Sequence, residues 1–333
     1  MKEAKYYKFL ANKKIKCNLC PHYCHLSLNQ TGWCGVRTNI NNRLITNIYG
    51  QLSSLALDPI EKKPLYHFLP GTEILSVGTT GCNLKCPFCQ NWAISQEFSE
   101  IKTFFYSPQD LVDLALAKNI KSIAYTYSEP IVWFEYVWET AKLAQENNLK
   151  NVLVTNGFIN PAPLKDLLPY IDAVNLDLKS FNPAVYQQTL KGGLEEVKKS
   201  LEEMLAANLA LEITTLVVTG LNDKIEEMES INNYLSSLDS DIPWHLSRYY
   251  SNYNYQQKAT EIDFMLEIFA RSKEKLNFVY LGNCPGEIFG QNTICPNCQT
   301  VLIERHNYKV YYENIDKKGQ KCLNCSQRIN VIF

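Results

Sequence analysis

Twelve cysteines among 333 residues constrain this chain more than any other feature, because they are not scattered. They form three groups: Cys17, Cys20, Cys24 and Cys34; then Cys82, Cys86 and Cys89; then Cys295, Cys298, Cys322 and Cys325. Cys284 lies outside the groups and reads as a small buried hydrophobe. The opening stretch Met1 to Lys16 is charged and broken by Asn and Lys, so it does not read as a secretory signal. No apolar run is long enough to span a bilayer. The protein is therefore expected to be soluble and cytoplasmic, with no membrane partner. In that reducing setting, clustered cysteines read as metal sites rather than disulfides.

Apolar residues make up 46% of the chain, as in ordinary globular proteins, so global disorder is not expected. Net charge is −1 but unevenly spread. Residues 1–70 carry ten Lys/Arg against three Asp/Glu; residues 284–333 carry six against four. A basic end steers acidic partners or is simply a solvated lysine-rich face. The lysines form no continuous stripe, which argues against nucleic acid as a partner.

Between residues 71 and 283, short β-rich runs alternate with helical patterns. Strands are predicted at Glu73–Thr79, Ser122–Tyr127, Asn151–Thr155, Ala173–Leu178, Leu211–Val218, Pro243–Arg248 and Phe278–Leu281. Amphipathic stretches at Asp110–Lys118, Trp133–Asn147, Leu194–Asn208, Lys224–Leu238 and Glu261–Lys275 separate them. In Leu194–Asn208, Leu194, Val197, Leu201, Met204 and Leu205 recur at helical spacing. The fold class is thus α/β, a partial (β/α) TIM-like barrel with a parallel sheet. Functional groups in such barrels gather at the C-terminal strand ends. The three central cysteines, Ser128 and Glu129, Thr155 and Asn156, and Asp177 and Lys179 all sit there, and His245 and Arg248 lie on the sixth strand.

The central segment reads Gly81-Cys82-Asn83-Leu84-Lys85-Cys86-Pro87-Phe88-Cys89-Gln90-Asn91-Trp92. Thiolates are the usual ligands of iron–sulfur clusters. Three of them fill three corners of a four-iron cube and leave the fourth iron for a small molecule, much as catalytic zinc sites keep one position open. A structural zinc site completed by a distant histidine is the alternative. Cys-x3-Cys-x2-Cys after the first strand of a βα barrel, with Phe88 before the last cysteine, resembles the radical S-adenosylmethionine (SAM) superfamily. The resemblance implies a [4Fe-4S] cluster on Cys82, Cys86 and Cys89, SAM on the open iron, and reductive cleavage to a 5′-deoxyadenosyl radical that abstracts hydrogen. It also implies a low-potential electron donor such as ferredoxin or flavodoxin.

Tyr127-Ser128-Glu129-Pro130 resembles the superfamily's Gly-Gly-Glu-Pro region, with Tyr127 and Ser128 in place of the glycines. Thr155-Asn156-Gly157, Asp177-Leu178-Lys179 and His245 resemble motifs of pyruvate formate-lyase activating enzymes. The resemblance implies that Phe88, Asn91, Ser128, Glu129, Thr155, Asn156, Asp177, Lys179 and His245 surround SAM. Lys179 is expected to pair with the SAM carboxylate. Val154 stands where those enzymes have an acidic residue, so the carboxylate of a cation site is missing. Cys17-x2-Cys20-Pro21-His22, the run Asp58 to Phe68, and Pro243-Trp244-His245-Leu246-Ser247-Arg248 together look like the radical SAM member of the AmmeMemoRadiSam system. That resemblance implies Memo-like and AMMECR1-like partners. Asp58 to Phe68 is expected as a loop near the barrel mouth, contacting substrate or closing the barrel structurally.

Three parts are expected: a Cys-rich, metal-binding N-terminal extension (1–70), a radical SAM barrel (71–283) and a zinc-ribbon-like lobe (284–333). The lobe's two Cys-x2-Cys knuckles flank a hairpin at Val301–Arg305 and Lys309–Glu313. Four thiolates close a tetrahedral site, read as zinc with a rubredoxin-like iron as the alternative. The N-terminal set holds a second zinc or an auxiliary iron–sulfur cluster, with His22 and His25 as substitute ligands; spacing alone does not separate them. Three activities follow: hydrogen abstraction from a substrate tied to the two partners, installation of a glycyl radical on a partner enzyme, or RNA modification.

Overall fold

The computed structural model describes residues 1–286 and 288–333. Eight strands build the central sheet: β1 (Ser54–Pro59), β2 (Glu73–Gly78), β3 (Ser122–Tyr125), β4 (Lys150–Thr155), β5 (Ala173–Asp177), β6 (Ala210–Val217), β7 (Trp244–Arg248) and β8 (Val279–Gly282). Their order is β8-β7-β6-β5-β4-β3-β2-β1. Neighbours from β2 to β8 are all parallel. Buried runs such as Ser122–Tyr125 suit strands covered on both faces. The connecting helices are α1 (Pro108–Ala117), α2 (Phe134–Glu146), α3 (Pro161–Leu167), α4 (Leu194–Ala206), α5 (Ile225–Leu238) and α6 (Ile262–Ser272). On α4, Leu194, Val197, Leu201 and Met204 are buried, the face expected from their spacing. A capping box starts α1: Ser107 accepts from the Asp110 N–H, and Asp110 reaches back to the Ser107 N–H at 2.8 Å.

Strand β1 gives the barrel its direction. It runs antiparallel to β2, with Ser54 opposite Gly78 and Pro59 opposite Glu73. The chain after Pro59 therefore emerges at the N-terminal end of β2, the floor of the barrel. There Asn175 of β5 donates to the Pro64 carbonyl at 2.7 Å, and the Tyr66 and His67 N–H groups donate to Glu212 of β6 at 2.9 and 2.8 Å. The run Asp58 to Phe68 thus plugs the floor rather than lining the mouth. Polar partners on β5 and β6, far away in sequence, dictate that placement.

The C-terminal lobe closes the floor from outside. Strands Thr293–Ile294, Val301–His306 and Lys309–Tyr312 pair antiparallel. Arg305 donates to the Tyr66 carbonyl at 2.8 Å, and the Ile332 N–H to the His67 carbonyl at 2.8 Å. Leu302, Ile303 and Val331 share one core with Tyr66, Phe278 and Tyr280.

The N-terminal residues form short antiparallel pairings, among them Arg37–Ile40 with Arg43–Thr46. Ile15, Leu19, Leu26 and Val36 belong to the same core as the barrel. A buried ion pair fastens them: both Arg37 terminal nitrogens lie 3.0 Å from Glu135 of α2. Among the described residues no helix is long and apolar enough to cross a membrane.

Candidate active site

The loop after β2 carries Cys82, Cys86 and Cys89, so all three sit at the C-terminal end of the sheet. Local bonds shape it. Gly81 takes a φ of +92°, and a Cβ there would fall 2.8 Å from the Cys34 carbonyl. Lys85 N–H bonds the Leu190 carbonyl at 2.8 Å, Cys89 N–H the Cys86 carbonyl at 3.3 Å, and Asn254 N–H the Pro87 carbonyl at 2.9 Å. Phe88 is buried, edge-on to Tyr255. Cys82 Sγ accepts from the Leu84 N–H at 3.4 Å.

The ends of β3 and β4 converge on this loop. Glu129 is buried and accepts from Thr155 Oγ1 at 2.6 Å, the Asn156 N–H at 2.8 Å and the Ile131 N–H at 3.1 Å. Asn156 in turn places Nδ2 2.9 Å from Asn83 Oδ1 and 3.7 Å from Cys82 Sγ. Glu129 is thereby tied to the cysteine loop through Thr155 and Asn156. A carboxylate has about four acceptor sites, so three internal donors leave little further capacity. Asn83, inside the cysteine motif, was not singled out from sequence; its position directly after Cys82 is the signal that could have found it.

Tyr127 has a φ of +67°, the left-handed conformation a glycine would adopt freely. Its hydroxyl bonds the Asp58 carboxylate, and its carbonyl accepts from Asn91 Nδ2 at 2.9 Å. Tyr127 thus holds a backbone shape that favours glycine and is anchored at both ends. Gly78 is required beneath it, since a Cβ there would lie 2.9 Å from the Thr126 carbonyl. Ser128 is buried alongside, its N–H bonded to the Thr126 carbonyl at 2.9 Å.

At the end of β5, Lys179 Nζ lies 3.0 Å from Asp177 Oδ2. Burial opposes a charge on Lys179, but Asp177 and the Cys86 sulfur outweigh it and hold the ammonium above its usual range. Burial pushes the thiols up, Cys86 to about 12, with Lys179 pulling the other way. Such thiols ionise by giving their protons up to a metal. Burial likewise raises Glu129 to about 7, against the pull of its hydrogen bonds. Three soft thiol donors on one loop, with a cation beside two of them, fit an iron–sulfur cluster with one iron left for another ligand.

His245 does not join this group. It lies at the second position of β7, its Nε2 2.6 Å from Glu212 Oε2, with its ring against Tyr66 and Tyr280. That is the floor, not the mouth: its partner Glu212 is the carboxylate that holds the plug. Arg248, at the end of the same strand, donates through Nε to the Thr260 carbonyl at 2.6 Å.

The two terminal sets differ in shape. Cys295 and Cys325 sulfurs lie 3.5 Å apart, Cys298 and Cys322 3.6 Å, and all four are within 4.8 Å of one another. Zinc–thiolate bonds of about 2.3 Å give a tetrahedron with edges of about 3.8 Å, so this set fits one ion. Cys17, Cys20, Cys24 and Cys34 instead line a cavity. Neither proposed substitute is part of that lining: His22 Nε2 contacts the Asn83 carbonyl at 2.7 Å, and His25 lies on an exposed strand position.

Residues 76–233 match the model of the radical SAM superfamily. An uncharacterized protein of Methanocaldococcus jannaschii is 38% identical over the whole length of both chains. A probable GTP 3′,8-cyclase of Methanococcus vannielii is 27% identical over 45% of this chain and 52% of that protein. Among solved structures, Streptococcus suis SuiB bound to S-adenosylmethionine superposes with a TM-score of 0.52 at 15% identity, over 68% of this chain and 53% of that one. This chain thus spans about half the length of the cyclase and of SuiB. The chain belongs to the radical SAM superfamily. Membership makes it an enzyme and implies a [4Fe-4S] cluster and SAM.

Proposed function

We propose that Cys82, Cys86 and Cys89 hold the [4Fe-4S] cluster and that the chain cleaves SAM reductively to abstract hydrogen from a substrate linked to Memo-like and AMMECR1-like proteins. The carrying observation is convergence: the three-cysteine loop, the Glu129–Thr155–Asn156 bonds and the Asp177–Lys179 pair meet at the C-terminal ends of β2 to β5. The cofactors supply the radical chemistry, while the protein supplies position and shielding. Lys179 offers a cation to the SAM carboxylate. Asn91, Ser128 and Tyr127 present a fixed backbone edge to the rest of SAM. Glu129 positions Asn156 against Cys82. The link to the two partners rests on the Cys17–His22, Asp58–Phe68 and Pro243–Arg248 runs, and ferredoxin or flavodoxin is the reading for the electron donor. The C-terminal four thiols hold zinc in this reading, staple the lobe and take no part in chemistry.

The test is anaerobic reconstitution followed by reduction in the presence of SAM. Wild type forms 5′-deoxyadenosine and Cys86→Ala forms none. Equal product from both would remove the assignment. Product analysis with the two partner proteins added then tests the substrate link.

A further inference from the structure

The N-terminal thiols are arranged unlike the C-terminal ones. Cys17, Cys20, Cys24 and Cys34 line one pocket, together with Leu19, Leu26, Val132 and Trp33. Among the described residues, the C-terminal four form the one set whose ligand atoms all lie within 4.8 Å of one another. The same chain therefore draws one four-thiol set around a point and spaces the other more widely around a shared pocket. A single zinc ion needs its four sulfurs drawn together. A cube of four irons and four sulfides needs room between them.

Two further features suit an anionic, sulfur-rich guest. Arg37 lines the cavity, is 1% exposed, and keeps its Nε buried without a hydrogen-bond partner although its other nitrogens are bonded. Backbone N–H groups also face the sulfurs, from Trp33 to Cys24 at 3.4 Å and from His22 and Val36 to Cys20 and Cys34. Hydrogen bonds to cluster sulfurs are a means of setting reduction potential.

The cavity also abuts the catalytic loop. The Cys34 carbonyl packs on Gly81, and His22, two residues from Cys20, bonds the Asn83 carbonyl at 2.7 Å. Gly81 and Asn83 are the neighbours of Cys82 on either side.

We propose that Cys17, Cys20, Cys24 and Cys34 ligate a second four-iron cluster, fully coordinated by protein, which passes single electrons to the cluster on Cys82, Cys86 and Cys89. One electron moves from a low-potential carrier protein, or from dithionite in the assay, and no bond is made or broken. The role as a relay rests on the proposed function above; the cluster itself does not.

The test uses the full chain. Cys82→Ala/Cys86→Ala/Cys89→Ala is reconstituted anaerobically and assayed for iron, sulfide and zinc. It is expected to hold about four irons and, once reduced, to give a paramagnetic signal that SAM leaves unchanged. Zinc in the N-terminal set and no iron would overturn the proposal. Cys24→Ser in this background guards against misfolding in larger variants: a shifted signal supports ligation, and an unshifted one contradicts it. In reduced wild type, spin–spin broadening beyond the sum of the two single-cluster spectra supports the relay, and a simple sum removes it. If wild type holds only the N-terminal iron, the catalytic assignment fails while the second cluster stands.

Discussion

The two ends of the barrel both bury charge, yet they are built to different purposes. At the mouth, the charged pair beside the cysteines remains reachable: the Lys179 and Asp177 side chains are 17% and 33% exposed. At the floor, Glu212 and His245 side chains are 1% and 4% exposed and bond to each other. Glu212 accepts from two backbone N–H groups and contacts His245; His67 bridges the Asn330 carbonyl at 2.9 Å and the Tyr280 hydroxyl at 2.6 Å. The difference teaches that a buried titratable cluster in a barrel is read by strand direction. Lys179 and Asp177 at a C-terminal strand end stay open to a ligand, whereas Glu212 at the floor is taken up by the chain's own Tyr66 and His67.

Variants at the two ends should therefore separate stability from chemistry. The largest structural effect is expected from Glu212→Ala. It strips the Tyr66 and His67 N–H groups and His245 of their acceptor at once, and losing one partner of a buried charged contact costs about 3–5 kcal/mol. Denaturant unfolding should show that loss, while 5′-deoxyadenosine formed per intact cluster stays at the wild-type level. A matching fall in turnover would make the floor part of the site.

Acid should loosen the floor next. Burial lowers His67 from 6.5 to about 4, so the native state keeps it neutral while the unfolded chain takes up a proton. The contribution is complete above about pH 6.5 and is lost as pH falls toward 4, worth about 3 kcal/mol in all. His67→Gln should flatten the stability-versus-pH curve in that window; an unchanged slope would assign the titration elsewhere.

The smallest effect is expected at the mouth. Lys179→Met should weaken SAM binding about tenfold or more, or about 1.4 kcal/mol, with little change in unfolding because the partner Asp177 is part-exposed. Equilibrium dialysis against labelled SAM measures it. A large stability loss with unchanged SAM affinity would make the pair structural.

Much of this was legible in the sequence. The parallel strands stand within a residue or two of their predicted places, since buried βα strands are written as short β-branched and apolar runs. The three cysteine groups and the closed C-terminal site followed from spacing. The misses at the floor share a cause: they depend on contacts distant in sequence. Ser54–Pro59, ending in proline, carries no strong strand signal and is a strand because β2 pairs with it. The plug is placed by Glu212, about 146 residues from Tyr66, and the same carboxylate draws His245 to the floor. Helix α3, with Pro161 and Pro163 in its first turn, hid behind residues that usually mark loops.

The most direct measurement is paramagnetic resonance on reduced protein with and without SAM, in wild type and in Cys86→Ala. The account predicts that SAM shifts part of the wild-type signal, because one iron of the mouth cluster is open, and that the SAM-sensitive part vanishes in the variant. A wild-type spectrum untouched by SAM would contradict it.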